Sequence, residues 1–329
     1  MQIEHGGNLE KAIQTYGGSR SDWIDISTGI SPFSASFPEL DLSFWHRLPE
    51  RALLNELAEI AKTYYASKQD CLVTSGSQFL INHLPDLLQG DVGIVGPTYG
   101  EYAGAFARQN RGYTALDSIA DIGDVRSVVL ANPNNPDGRL YSQEELSTLA
   151  NMLKQREGFL VVDEAFCDVC ENASMLSAQP LDNLIVLKSF GKFFGLAGAR
   201  IGFVFAHSEI LQQIAHLQGP WAISGPSISV AKHVLTQNEI HRDLFEKISK
   251  RHAFFHQAVL ELGLKIIGGS KLFLLIEHEK AQDLHEHLLV EKILTRRFDY
   301  NPHWLRLGLT SNREEDLRFK QAVLSFKNQ

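Results

Sequence analysis

Between residues 70 and 190 the chain alternates short apolar runs with longer stretches of helical periodicity. Cys71 to Thr74, Gly93 to Val95, Ser127 to Ala131, Phe159 to Asp163 and Leu184 to Leu187 read as strands, and Ser142 to Arg156 has the spacing of an amphipathic helix. Strands alternating with helices predict an α/β sheet of mostly parallel strands. The last four of these runs lead into polar or turn residues: GPTYGEY at 96–102, NPNNPDG at 132–138, DEAF at 163–166 and KSFGK at 188–192. In such sheets the carboxyl ends of the strands form the ligand crevice, so these four segments are expected to meet at one site.

From about Ile240 the pattern changes to a long charged helix, EIHRDLFEKISKRHAFFHQAVLELG. It is followed by KIIGG, KLFLLIEH, a helix around Leu284 to Lys292, and WLRLGL at 304–309. That succession predicts a smaller α+β domain. The stretch up to about Phe44 is rich in Gly, Ser and Pro with few periodic apolar positions, and reads as an extended arm. The expected division is an arm over 1–44 that packs with the small domain or a partner subunit, a large domain over 45–238 and a small domain over 239–329.

Composition narrows the class. The 329 residues suit about two domains, and 31 Lys+Arg against 39 Asp+Glu give a net charge of −8 with no basic run suited to nucleic acid. Three cysteines are too few for a disulfide framework, and the opening MQIEHGGNLEKAIQ lacks a signal-peptide pattern. No apolar run approaches the roughly 20 residues of a bilayer span. A cytoplasmic enzyme is the expectation.

Lys192 is the most informative residue. It follows an apolar strand within S-F-G-K, and Arg200 closes G-L-A-G-A-R eight residues on. A lysine buried there needs a task, such as forming a Schiff base with an aldehyde cofactor in a water-poor pocket; the alternative is a surface lysine in a glycine-rich loop. Ser189 and Arg200 are then placed to hold a phosphate. Asp163, at the end of FLVVD, puts a carboxylate at the sheet edge, where it either keeps a pyridinium nitrogen protonated or caps a turn. Asn135 can donate to a ring hydroxyl and Tyr99 can lie against the ring, although turn chemistry or core packing explains either residue alone. Gly76, Ser77 and Gln78, between a strand and an apolar helix, offer backbone amides to a phosphate. Taken together in chain order, these residues describe a pyridoxal-phosphate site.

With those motifs the sequence resembles the fold-type-I pyridoxal-phosphate enzymes of the class I/II aminotransferase superfamily over nearly its whole length. The resemblance implies a large domain with a mainly parallel seven-stranded sheet, a small domain, and a homodimer with active sites at the interface. It implies Lys192 as the Schiff-base lysine, Asp163 as the partner of the ring nitrogen, Asn135 on the ring hydroxyl and Tyr99 stacked on the ring. Ser189, Arg200 and the Gly76 to Gln78 amides would hold the phosphate of pyridoxal 5'-phosphate. Within the superfamily, HGGN at 5–8, WIDISTGISP at 23–32, RLP at 47–49 and SFGKFFGLAG at 189–198 are similar to the branch that decarboxylates L-threonine O-3-phosphate for the cobalamin nucleotide loop. The alternative is histidinol-phosphate aminotransferase or a related transaminase. A non-catalytic protein on the same fold would be expected to lack the lysine or the aspartate.

A small phosphorylated amino acid presents two acidic groups suited to guanidinium forks. The resemblance assigns them to Arg306 in WLRLGL and Arg296 in ILTRRF, with His5 and Gly6 capping the site over the phosphate. Arg297 reads as a solvated charge, with the register between it and Arg296 left open. Trp221 and Ser224 line either the pocket or a dimer seam, core packing being the other reading for Trp221. Four positions depart from the superfamily pattern: Phe166 replaces a tyrosine, Gly191 replaces a Ser or Thr before the lysine, and Gly29 and Ser31 stand where relatives have Asn. The Cys167-x-x-Cys170 pair has no second pair to complete a metal site, and His285-Glu286-His287 reads as a solvated helix face.

Overall fold

The apolar runs of the first part of the chain lie side by side in one seven-stranded sheet. Its strands are β1 (Asp70–Thr74), β2 (Val92–Val95), β3 (Thr114–Leu116), β4 (Ser127–Ala131), β5 (Leu160–Asp163), β6 (Leu184–Ser189) and β7 (Gly202–Ala206). Their order is β1-β7-β6-β5-β4-β2-β3. The pairs from β3 through β6 are parallel, whereas β7 runs antiparallel to both of its neighbours. The five strands expected from the sequence are present, with β6 extending to Ser189. β3 and β7 are additions, the first only three residues long and the second following directly on a glycine-rich turn.

The computed structural model describes residues 5–327. They form two units, one comprising Ala35–Asn135 and Arg139–His241, the other the described residues up to Ser34, Pro136–Gly138 and those from Arg242 onward. In the first unit, helices α1 (Ser77–Leu87), α2 (Glu101–Arg108), α3 (Gln143–Lys154) and α4 (Ser208–Gln218) flank the sheet. Leu80, Leu84, Phe106 and Ile214 from α1, α2 and α4 are fully buried with Val129, Val161, Ile185 and Val204 of the strands. α3 begins where its sequence dictates: the Ser142 hydroxyl accepts from Glu145 N at 3.2 Å, and the Glu145 carboxylate accepts from Ser142 N at 2.8 Å.

A charged cluster lies inside this unit. Lys188 of β6 is 2% exposed, with its ammonium 3.0 Å from Glu164 Oε2 and 3.1 Å from Asp168 Oδ1. Burial pulls the ammonium down, but Asp168 and Glu164 together outweigh it and hold the group well above the usual lysine value.

The second unit is built on a four-stranded antiparallel sheet of β8 (Lys265–Ser270), β9 (Phe273–Glu277), β10 (Arg296–Phe298) and β11 (Asn301–Gly308), in the order β10-β11-β9-β8. Most of the long helix Asn238–Glu261 belongs to it, with the helices Ala281–Val290 and Arg313–Lys327. Ala281–Val290 starts earlier than the apolar spacing indicates, after His278 Nδ1 accepts from Lys280 N, and it ends before the left-handed Lys292. The N-terminal stretch is less extended than its composition suggests. Leu9–Tyr16 forms a helix whose Leu9 and Ala12 pack with Trp23, Leu289 and Leu294. His285 is also not on a solvated face: it is 6% exposed, with Nδ1 2.7 Å from Thr295 Oγ1. Residues 1–4 of the expected arm lie outside the described residues. Among the described residues no helix is long and apolar enough to cross a membrane.

His252, on the long helix beside His256 and Lys271, makes this unit sensitive to acid. Burial first, then the two neighbouring cationic groups, push its pKa down to about 4. The folded state therefore favours neutral imidazole, and stability present above the unfolded value of 6.5 falls with pH until about 4, where it levels. Discounted for its partial exposure, the loss is about 2 kcal/mol. Thermal unfolding of His252→Gln and of the unmodified protein across this window should show a shallower decline for the variant.

Candidate functional site

Because β7 alone is reversed, it begins at the edge where β1, β2, β4, β5 and β6 end. Gly76 to Gln78 follow β1, Tyr99 follows β2, Asn135 follows β4, Asp163 closes β5, Ser189 closes β6 and Arg200 precedes β7. Thr74 and Ser189 both pair with Gly202, and Leu187 pairs with both Asp163 and Val204. Lys192 lies in a single helical turn, Phe190–Phe193, directly after β6. The sheet thus brings every candidate of the first unit to one edge.

Glycines let the backbone close in at one corner. Gly76 has φ +89°, and a Cβ there would stand 2.9 Å from Arg200 Nη2. A Cβ on Gly202 would stand 2.6 Å from Ser77 N. Arg200 is itself in the left-handed region at φ 51°, with Nη1 donating to Ala197 O at 3.2 Å. The first amides of α1 and a guanidinium converge there, an arrangement of donors suited to an anion. Gly191 has its own steric reason: a Cβ would lie 2.7 Å from Ala197 Cα, so the usual hydroxyl-bearing residue has no room.

Asp163 is 5% exposed. Its Oδ2 accepts from the Tyr102 hydroxyl at 2.7 Å and its Oδ1 from Ala165 N at 3.0 Å. Burial pushes its carboxyl up, against the Tyr102 hydrogen bond, the Ala165 amide and the Lys192 charge, which all pull it down. The Lys192 ammonium lies 5.5 Å from the centre of the Phe166 ring. The Tyr99 hydroxyl donates to Gln78 Oε1 at 2.9 Å, and Gln78 Nε2 donates to Glu101 Oε2 at 3.2 Å. In the loop after β4, Asn132 exchanges hydrogen bonds with the Tyr141 backbone, and Asn134 bridges Pro97 O and Thr98 Oγ1. Those two asparagines tie the loop down, with half-buried Asn135 next in line.

The second unit assembles the remaining candidates. Arg296 and Arg306 are register partners on β10 and β11, so both side chains lie on one face of the ribbon. Arg297 points to the other face, 3.8 Å from Glu286 Oε1. Arg306 is 5% exposed, and its Nη2 donates to Ser27 O at 2.6 Å. Ser27 also anchors the HGGN stretch: Gly7 N donates to its hydroxyl at 2.7 Å, and a Cβ on Gly6 would lie 2.4 Å from its carbonyl oxygen. His5 is exposed beside Gly6. Ser27, inside the WIDISTGISP motif, and Tyr102, inside GPTYGEY, were not singled out from the sequence. Trp221 is 60% exposed, and Ser224 caps the helix Gly225–Thr236, its hydroxyl accepting from Ser227 N at 3.3 Å. Cys167 is buried, and burial pushes its thiol far up, away from the reactive thiolate. Among the described residues no group of three or more His, Cys, Asp or Glu could hold a metal ion.

The Gly191 contact generates a check. Gly191→Ser, although it restores the superfamily pattern, should lower stability by about 1–3 kcal/mol in urea unfolding, because the Ala197 backbone must move. A serine that stabilised the protein would show that the turn yields.

Residues 40–322 match the model of the family described as Aminotransferase class I and II. The chain is 41% identical over 329 residues to a threonine-phosphate decarboxylase of Sinorhizobium sp, covering 98% of this chain and 97% of the relative. It is 37% identical to a threonine-phosphate decarboxylase of Pseudomonas aeruginosa, with 99% and 98% covered. The fold matches the crystal structure of histidinol-phosphate aminotransferase from Sinorhizobium meliloti in complex with pyridoxal-5'-phosphate at a TM-score of 0.86 and 18% identity, over 99% of this chain and 96% of that one. With the family model matched over residues 40–322 and identities of 41% and 37% to two relatives over nearly their whole length, the chain belongs to the class I and II aminotransferase family and, within it, to the threonine-phosphate decarboxylase family.

Proposed function

We propose that this protein is a pyridoxal-phosphate-dependent carboxy-lyase that converts L-threonine O-3-phosphate to (R)-1-amino-2-propanol O-2-phosphate and CO2, the linker unit of the cobalamin nucleotide loop. The observation that carries this reading beyond the family is the register pairing of Arg296 with Arg306, which sets two guanidiniums on one face for a substrate with two acidic groups. We further propose that it acts in the cytoplasm as a homodimer. Leu42, Trp45 and Leu48, exposed by 68%, 65% and 65%, form a concentration of apolar side chains suited to a second copy.

The cradle at Gly76, Ser77 and Arg200 fits a phosphate monoester, since a Cβ at 76 or 202 would fill it. Ser189 and Gln78 belong to the same edge. Lys192 would hold the cofactor aldehyde through its amine, Asp163 the ring nitrogen, Asn135 the ring hydroxyl and Tyr99 a ring face. When bound, pyridoxal phosphate supplies an electron-poor ring that takes up the electron pair left at the substrate Cα as CO2 departs. The bond at Cα that breaks is set by how the substrate is held, so Arg296 and Arg306 select the reaction through its acidic groups. His5 and Gly6 would close over the phosphate. Lys192 Nζ would deliver a proton to Cα after CO2 has gone. Phe166 offers no hydroxyl to the ring oxygen, which leaves that contact to Asn135.

Incubation of the cofactor-loaded protein with L-threonine O-phosphate should release CO2 without any 2-oxo acid. Glutamate formation from histidinol phosphate and 2-oxoglutarate, without CO2, would overturn the decarboxylase reading in favour of transamination. Arg306→Ala should keep the cofactor absorbance and lower kcat/KM by about 30-fold or more, read by steady-state CO2 release.

A further inference from the structure

Tyr102 stands on the first turn of α2 and is 1% exposed. With its hydroxyl on Oδ2 of Asp163 and Ala165 N on Oδ1, the carboxylate has one donor at each oxygen. Two such donors fix the plane of the group as well as its position, and each oxygen keeps a lone pair for one donor more. The neighbouring Glu101 accepts from Gln78, which in turn accepts from Tyr99. Tyr102 meets Tyr99 edge-on, with ring centres 5.8 Å apart. One helical turn therefore sets both the carboxylate and the ring that flank the proposed cofactor.

We infer that Tyr102 is a positioning residue of this site, acting through Asp163 to keep that carboxylate ionised and turned toward the cofactor's ring nitrogen. The inference rests on the role proposed above for Asp163. A carboxylate this deeply buried leans toward its neutral form, and a neutral Asp163 cannot keep the ring nitrogen protonated. The Tyr102 hydrogen bond is the leading influence that opposes burial. The phenol keeps its own proton, because burial and the Asp163 charge drive it far above its ordinary value, so toward an ionised Asp163 it is the donor. A phenylalanine would occupy the same volume and leave Asp163 with a single protein donor.

The test uses full-length Tyr102→Phe, Tyr102→His and Asp163→Asn, each reconstituted with pyridoxal phosphate. Tyr102→Phe should bind the cofactor about tenfold more weakly, and kcat should fall by a similar factor with KM unchanged. The pH midpoint of the bound cofactor's absorbance change should move by about one unit. Tyr102→His, which restores an N–H donor, should fall between the two. A Tyr102→Phe protein with unaltered cofactor affinity and pH midpoint would overturn the inference. So would equal losses in the Phe and His variants, which would assign the effect to packing. Asp163→Asn separates the two levels: if it binds cofactor and turns over as the unmodified protein does, the reading of Asp163 itself is wrong. If it fails while Tyr102→Phe is unaffected, only the inference about Tyr102 falls.

Discussion

The reversal of β7 is the constraint on which the site depends. A parallel return from β6 would need a crossover over one face of the sheet, usually by a helix. Here the segment from Phe190 to Ile201 spends its length on two short helical turns, so the chain re-enters the sheet at the edge it has just left. Lys192 and Arg200 consequently remain among the strand ends that carry Asp163 and the amides of α1. The glycines follow from the same geometry. The Gly76–Ser77 backbone passes over the start of β7, and only a residue without a side chain at 202 lets it do so.

Most of the first unit could be read from the chain because its signals are local. The runs that became β1, β2, β4, β5 and β6 are short and apolar, and the polar residues that end them are the ones the sheet edge collects. β7 was not legible, since nothing local to Gly202–Ala206 says that it runs backwards; that is decided by the length of the preceding link. Tyr102 escaped for a different reason. In GPTYGEY it has the spacing of a core aromatic, which it is, and only the three-dimensional pairing with β5 reveals what its hydroxyl touches.

The second unit was harder to read. Arg296 and Arg297 are indistinguishable in ILTRRF, and only strand register shows which of them shares a face with Arg306, since neighbouring side chains on a strand point to opposite faces. The serine that receives both Arg306 and the HGGN stretch lies in a segment whose composition reads as an extended arm, yet its carbonyl and hydroxyl are what hold two distant motifs in register. Composition of this kind reports what the segment lacks, a periodic apolar face, and is silent about the polar contacts that order it.

The cluster around Lys188 bears on the role proposed for Lys192. An aldehyde condenses with an unprotonated amine, and two lysines stand four positions apart in LKSFGK. Lys188, clasped by two carboxylates, has a proton affinity too high to present a free electron pair near neutrality. Buried and paired in this way, it is a poor nucleophile although it lies on the strand that leads to Lys192. Under the role proposed for Lys192, Glu164 and Asp168 keep Lys188 from competing for the same aldehyde.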